Sequence, residues 1–479
     1  MEKKSILKNS FYSICYKLMN VLFPLLISIY SSHVLLSEGV GKVALAQNIV
    51  TYFVTLAALG IPNYGTKRIG GMQFDIKERN KVFTELFVIN LISTLICTLA
   101  FFVTIFTVPY FHGNNLYYIF SFLLILNTIN VDWLYQGLEE YKYIAIRSIC
   151  VKAICLIALP VFVRKRTDVP QYAIILCAAT VGNYFFNIIH LHKYVQFDFE
   201  RLNLKRHLKP ILILLASVCA TEIYTMLDST MVGTLCSEKE LGYYTNAMKT
   251  ARMSYVFVTA ACAVFLPRLS LYFKEERKTE FNSLANQGMK LVVLLAIPIF
   301  AGLELLADII IPVLFGVDFL PGVTTLRILA VLVIILSVAY IGGHVILISA
   351  NMEEHTMYAA FTGAISNFLM NIILIRRYGF NGAAIASVIA ETLVTTVLLL
   401  SAKKVVSYHF QKQFILSILA STGAMSLGVI ILKRMIQNNL ISLVVCIIGG
   451  GLIYFVAQFC LKNEIVVSVL SKIRYRRQT

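Results

Sequence analysis

Two cations inside one apolar stretch pose the first chemical question. The segment GYYTNAMKTARMSYVFVTAACAVFLP, residues 242–267, is long enough to cross a bilayer yet carries Lys249 and Arg252 in its first half. A charged side chain near the bilayer centre costs roughly 2.5 to 3.5 kcal/mol on insertion scales, so each needs a pore, a partner or an anionic ligand. The two are three residues apart, hence on one helical face. From a helix start at Tyr243 they lie about 9 and 14 Å in, at 1.5 Å per residue. Snorkelling to the outer interface is the competing account, easy for Lys249 and strained for Arg252.

Other ionisable residues in apolar segments are Lys17, Asp132, Lys152, Glu222, Asp228, Arg327 and Glu391. Lys17 lies near enough to the end of its segment for snorkelling to compete evenly with a site role, and Arg327 begins its segment at the interface. Asp132, in NVDWLYQGLEEY, suits either an ion pair with Lys142 or Lys152 or a role toward a cation or substrate. Glu222 and Asp228, in TEIYTMLDSTMVG, could bind a coupling proton or Na⁺ or neutralise Lys249 and Arg252; neutralisation is the favoured reading.

The elements that must position these groups are membrane helices. The chain has 58% hydrophobic and only 14% charged residues, with a mean hydropathy of +0.77, far from the roughly 25% charged residues of soluble domains. Taking a span as about 20 apolar residues, fourteen begin near residues 11, 43, 85, 116, 145, 171, 210, 243, 289, 323, 356, 382, 414 and 441. The expected fold is therefore an all-α polytopic membrane protein without a soluble domain. The basic start, MEKKSILKNS, has no A-x-A cleavage site and is read as leading into a retained first helix.

A net charge of +17 is no sign of nucleic acid here, because the cations sit in short clusters between apolar runs. With the N-terminus inside, about 28 Lys and Arg fall on the inner side against about 9 outside, which places both termini in the cytoplasm. Nine of the ten cysteines lie in apolar runs, so no disulfide framework is expected. No H-E-x-x-H or C-x-x-C spacing supports a metal, and GVGKVA at Gly39 follows a span rather than a buried strand. No cofactor is expected.

The chain repeats itself. GLEEYKYIAIRSICVKAICLIALPVFVRKR resembles NMEEHTMYAAFTGAISNFLMNIILIRRYG at an offset of about 212 to 214, and LLSEGVGKVALAQNI resembles CSEKELGYYTNAMKT at about 201. An even number of spans separates equivalents, which makes a parallel repeat of spans 1 to 6 on spans 7 to 12. The expected organisation is an N-terminal lobe over 1–209, a C-terminal lobe over 210–413, and two further spans with a basic tail over 414–479. Two such bundles would face a central cavity.

Four segments carry a family likeness as an ordered set: GKVALAQNIVTYFVTLAALGIPNYGTKRIG (41–70), NVDWLYQGLEEYKYIAIRSICVK (130–152), LDSTMVGTLCSEKELGYYTNAMK (227–249) and RRYGFNGAAIASVIAETL (376–393). They resemble the Wzx-type polysaccharide repeat-unit flippases, which handle O-antigen or capsule units, of the multidrug/oligosaccharidyl-lipid/polysaccharide exporter superfamily. The resemblance implies transfer of an undecaprenyl-diphosphate-linked oligosaccharide from the cytoplasmic to the outer leaflet of the cell membrane by alternating access. It implies H⁺ or Na⁺ as candidate coupling ion and polysaccharide assembly proteins as candidate partners. Related lipid II flippases use cavity cations in the first and eighth spans, and Lys17, Lys249 and Arg252 occupy comparable places. The chemistry agrees, since Lys and Arg in a low-dielectric cavity hold a diphosphate through charge-assisted hydrogen bonds.

Two other classes remain. A multidrug or organic-cation exporter of the same superfamily would want an acidic cavity, against the central cations here. A polysaccharide polymerase or ligase would want a sizeable outer domain, and the expected outer loops are short.

Overall fold

The computed structural model describes residues 6–466 apart from Gln73 and Ala263, without the side chains at positions 6–11, 13–15, 17, 18, 21, 217, 220, 221, 223 and 224. All regular structure among the described residues is helical. The contacts divide the chain into two compact units, Met1–Gly242 and Tyr243–Thr479.

The first unit holds α1 (Ile6–Ala58), α2 (Ile61–Gly70), α3 (Ile76–Thr107), α4 (Asn115–Ile125), α5 (Asp132–Gly137), α6 (Tyr141–Phe162), α7 (Val169–Leu191) and α8 (Lys205–Leu235). It also takes the first turn of α9 (Glu238–Cys262). A straight helix of α1's 53 residues would run about 80 Å, far beyond a hydrocarbon core of about 30 Å. It is broken at Leu36, which takes φ 59° and ψ −176°. The arms run in opposite directions. Tyr30 in the first arm bonds the Val163 carbonyl at the end of α6 (2.9 Å). In the second arm the Ala57 carbonyl accepts from Ser93 of α3 (2.6 Å), and Phe53 meets Phe101 (5.2 Å). Following α6 to α7, α4 and α3 through Arg147 to Asn183, Cys177 to Ile119, and Asn127 to Asn90 closes the register on that reversal. The sequence suggested a loop here, and one left-handed leucine does its work.

Close approach marks the turn. A Cβ on Gly41 would stand 1.6 Å from the Glu238 carbonyl oxygen, and one on Gly242 would stand 2.1 Å from that of Ser37. Lys42 reaches both Glu38 (2.5 Å) and Glu238 (3.9 Å) beside this contact.

At the other end of the unit, α2 starts after Gly60 (φ 75°) with a proline in its first turn, as an orphan N–H position allows. Its Ile61, Gly65 and Ile69 are buried while Lys67 and Arg68 are exposed. The ring of Trp133 lies against Gly65 and stacks on Phe83 (5.5 Å). Asp75 caps α3 by accepting from the Glu78 N–H (3.0 Å), and Asn114 caps α4. Glu85, fully buried, accepts from Arg206 (2.6 Å), from the Asn203 N–H (2.7 Å) and meets His207 (2.8 Å), which ties the start of α8 to α3. In the α6–α7 loop, Asp168 accepts the backbone N–H groups of Arg164 and Lys165 (2.9 and 2.8 Å), and these bonds hold its carboxyl below the usual range.

The second unit continues with α10 (Phe265–Lys274), α11 (Lys278–Phe315), α12 (Gly322–Ala330), α13 (Leu332–Ala339), α14 (Ile346–Ser349), α15 (Glu353–Ala402), α16 (Lys412–Met435) and α17 (Asn439–Cys460). Short α10 follows α9 as short α2 follows α1. Within α15, Gly379 takes φ 57° and ψ −142°. A Cβ on Gly382 would lie 2.0 Å from the Leu374 carbonyl oxygen, so the chain has turned back, since eight residues along a straight helix are about 12 Å apart. The hairpin of α16 and α17 rests on α11: Tyr454 donates to the Leu294 carbonyl (2.7 Å) and Lys433 pairs with Asp308 (2.7 Å).

Among the described residues nine helices are long and apolar enough to cross a membrane, or ten when the bent pair of α9 and α10 counts as one. Among these, α1 and α15 each reverse within their length.

Candidate functional site

Helix α9 divides into three faces. Tyr244, Ala247, Ala251, Val258 and Cys262 are buried and follow the helical repeat. Tyr244 anchors that face through its hydroxyl to Ser387 of α15 (3.1 Å). Phe257, Ala260 and Ala261 are exposed. Between these faces lie Lys249, Arg252 and Val256, all half-buried. The structure thus places both cations on one face, as their spacing required, with Arg252 close to the middle of the helix. Arg252 makes no hydrogen bond or ion pair among the described residues.

One turn on from Arg252, Tyr255 is within electrostatic reach of Arg252, of Glu391 on α15 and of Tyr340. Tyr340 opens a π-helical turn, Tyr340–Val345, and its ring faces that of His344 (5.9 Å). Such turns break the regular ladder and recur at functional positions. Sequence reading noted Glu391 only as an intramembrane charge and did not single out Tyr340. The signal lay in YIGGHV, whose paired glycines accept the side chains of Leu399 and Leu398.

In the first unit, Glu222 and Asp228 sit on α8 within electrostatic reach of Tyr52, whose hydroxyl meets Thr230 (2.9 Å). Asp228 is buried and Glu222 half-buried. Asp132 heads α5 and pairs with Arg147 of α6 (2.8 Å), not with the Lys142 or Lys152 that the sequence offered. Asn187 of α7 also donates to Asp132 (2.6 Å) and accepts from Arg147, while Asn183 accepts from the Arg147 Nε (3.1 Å). A guanidinium only 3% exposed is thus matched by one carboxylate and two amide oxygens. This satisfies most of its donors.

Lys152, a turn and a half beyond Arg147, is buried; it donates to Asn20 and lies over the Phe23 ring (5.4 Å). Lys17 is on α1, and its side chain lies outside the described residues. Arg147, Asn183 and Asn187 were missed by sequence reading. Their signal is the i, i+4 asparagine pair in VGNYFFNII together with an arginine inside IAIRSIC. Among the described residues no group of three His, Cys, Asp or Glu could hold a metal.

Comparison with known proteins agrees with this architecture. The polysaccharide biosynthesis protein family matches over residues 6–273. A protein named "Probable low-salt glycan biosynthesis flippase" from Haloferax volcanii is 26% identical over 48% of this chain and 49% of its own. The chain therefore spans about half the length of that relative. One named "Putative O-antigen transporter" from Shigella dysenteriae is 24% identical over 80% of this chain and 96% of its own. Among solved structures, the lipid II flippase MurJ in an inward closed conformation superposes with a TM-score of 0.66 at 17% identity, over 93% of this chain and 100% of that one. An inward-facing multidrug resistance MATE family transporter of the MOP superfamily gives 0.63 at 15% identity, over 80% and 93%. These two likenesses establish the shared fold. With more than half of its length matched, the chain belongs to the polysaccharide biosynthesis protein family.

Proposed function

We propose that the protein is a flippase that carries an undecaprenyl-diphosphate-linked oligosaccharide from the cytoplasmic to the outer leaflet of the cell membrane by alternating access, for surface polysaccharide synthesis. The observation that carries this reading is Arg252, a half-buried guanidinium near the middle of α9 with no hydrogen bond or ion pair among the described residues. A charge at that depth is retained for a ligand, and a diphosphate is the anion that two cations on one helix face would hold. Lys249 shares the face and Lys17 is the third cation of the set. Both termini are cytoplasmic in this reading, with lobes 1–209 and 210–413 and added spans in 414–479. Glu222 and Asp228 balance charge or take up H⁺ or Na⁺. Asp132 balances charge, because Arg147 already occupies it. The relatives, named as a glycan flippase and an O-antigen transporter, support the same class. Against a polymerase or ligase stand connections as short as 163–168 and 436–438.

Depletion of the protein tests the reading. Lipid-linked oligosaccharide should accumulate on the inner leaflet, out of reach of an externally added lectin. Normal surface polysaccharide together with new sensitivity to organic cations would replace it with the exporter reading.

A further inference from the structure

A second cationic feature lies at the basic end of the first unit, apart from the residues considered above. Between the end of α2 and the first turns of α8 is a concave site of about 620 Å³, lined by Tyr64, Lys67, Arg68, Met72, Pro210 and Leu214, with Ile213 completing the α8 wall. Its volume falls in the range of small-molecule sites, about 300 to 1,000 Å³. Its chemistry is split between two walls. Lys67 and Arg68 supply adjacent cations from α2, and Pro210, Ile213 and Leu214 supply an alkyl wall from α8. That wall runs on into exposed apolar surface, with Leu212 53% and Ile213 62% exposed.

The acids nearby are committed elsewhere. Glu85 is held by Arg206 and His207, Glu78 by Arg206 (2.9 Å), and Asp75 caps α3. Lys67 and Arg68 make no side-chain hydrogen bond or ion pair among the described residues. The site is also built on a firm base. The Tyr64 hydroxyl meets His207 Nδ1 (2.8 Å), and Trp133 lies directly beneath Gly65. Two uncompensated cations beside an alkyl wall, where a helix enters the apolar region, match a lipid with an anionic headgroup. A soluble anion would leave the alkyl wall without a role.

We propose that this pocket binds an anionic phospholipid, with its phosphate on Lys67 and Arg68 and an acyl chain along Ile213 and Leu214. The proposal concerns bulk membrane lipid and stands whether or not the transport reading holds. Each cation near a lipid surface contributes about fivefold in affinity, so removing both should cost roughly thirtyfold.

Native mass spectrometry of the detergent-solubilised full chain, titrated with phosphatidylglycerol and with phosphatidylcholine of the same chains, reads this directly. Wild type should show a saturable phosphatidylglycerol adduct that Lys67→Gln/Arg68→Gln weakens by roughly thirtyfold, and that glycerol phosphate does not displace. Each single substitution should weaken it by about fivefold. Lys403→Gln/Lys404→Gln, which removes two exposed cations elsewhere, should leave it unchanged. The proposal is overturned by an adduct unchanged in the α2 double variant, by an equal loss in the control pair, by equal binding of phosphatidylcholine, or by full displacement with glycerol phosphate.

Discussion

Gly41 and Gly242 stand in reciprocal contact: each lies against the backbone four residues before the other, Gly41 on the Glu238 carbonyl and Gly242 on the Ser37 carbonyl. In the internal repeat with an offset of about 201, Gly41 is the counterpart of Gly242 and Ser37 of Glu238. Both sides of the contact lie in the first unit, where each glycine meets the turn that flanks the other.

Alanine at either glycine should not be accommodated. A methyl group 1.6 or 2.1 Å from a carbonyl oxygen has to displace backbone, and overpacking of this kind costs about 1 to 3 kcal/mol or more. Gly41→Ala and Gly242→Ala should each lower the thermal midpoint of the purified protein by several degrees. Gly423→Ala, with no atom within 4 Å of its new methyl, is the control. Midpoints equal to that control would contradict the contact.

The Asp132–Arg147 pair should behave as a structural unit. Removing one partner of a buried pair leaves an uncompensated charge and costs about 3 to 5 kcal/mol. With Asp132 still 22% exposed, the lower end is expected for Arg147→Ala. Replacing both, as Asp132→Leu with Arg147→Met, should recover most of the loss. Thermal unfolding of the four proteins gives the coupling. Additive losses would break the pair as an account, and a double variant of normal stability that has lost ion-dependent transport would return Asp132 to ion coupling.

How much of this was legible in the sequence differs by residue. Lys249 and Arg252 could be placed on one face because their spacing alone sets it. Asp132 could be flagged as intramembrane, but its partner could not be named. Arg147 was not singled out at all, and α6 carries it into the unit to meet α7. Helix register against a neighbour is a tertiary property that a single chain's hydropathy does not encode. The break between the first two spans was expected, but not that Leu36 would make it: a left-handed leucine carries no composition signal, unlike the glycine at 379.

The expected topology can be checked independently of function. Fourteen crossings with both termini inside place Asn114 and Gln437 on the outer face, in the connections after α3 and α16. Reporter fusions at those positions should report the outside. A cytoplasmic signal at both would refute the fourteen-span arrangement.

The headgroup role of Arg252 is the centre of the functional account, and complementation of a flippase-depleted strain tests it most directly, with membrane abundance measured alongside. Arg252→Ala should fail at normal abundance, while Arg252→Lys, which keeps the charge and loses the bidentate geometry, should restore growth in part. Full complementation by Arg252→Ala at normal abundance would contradict the account.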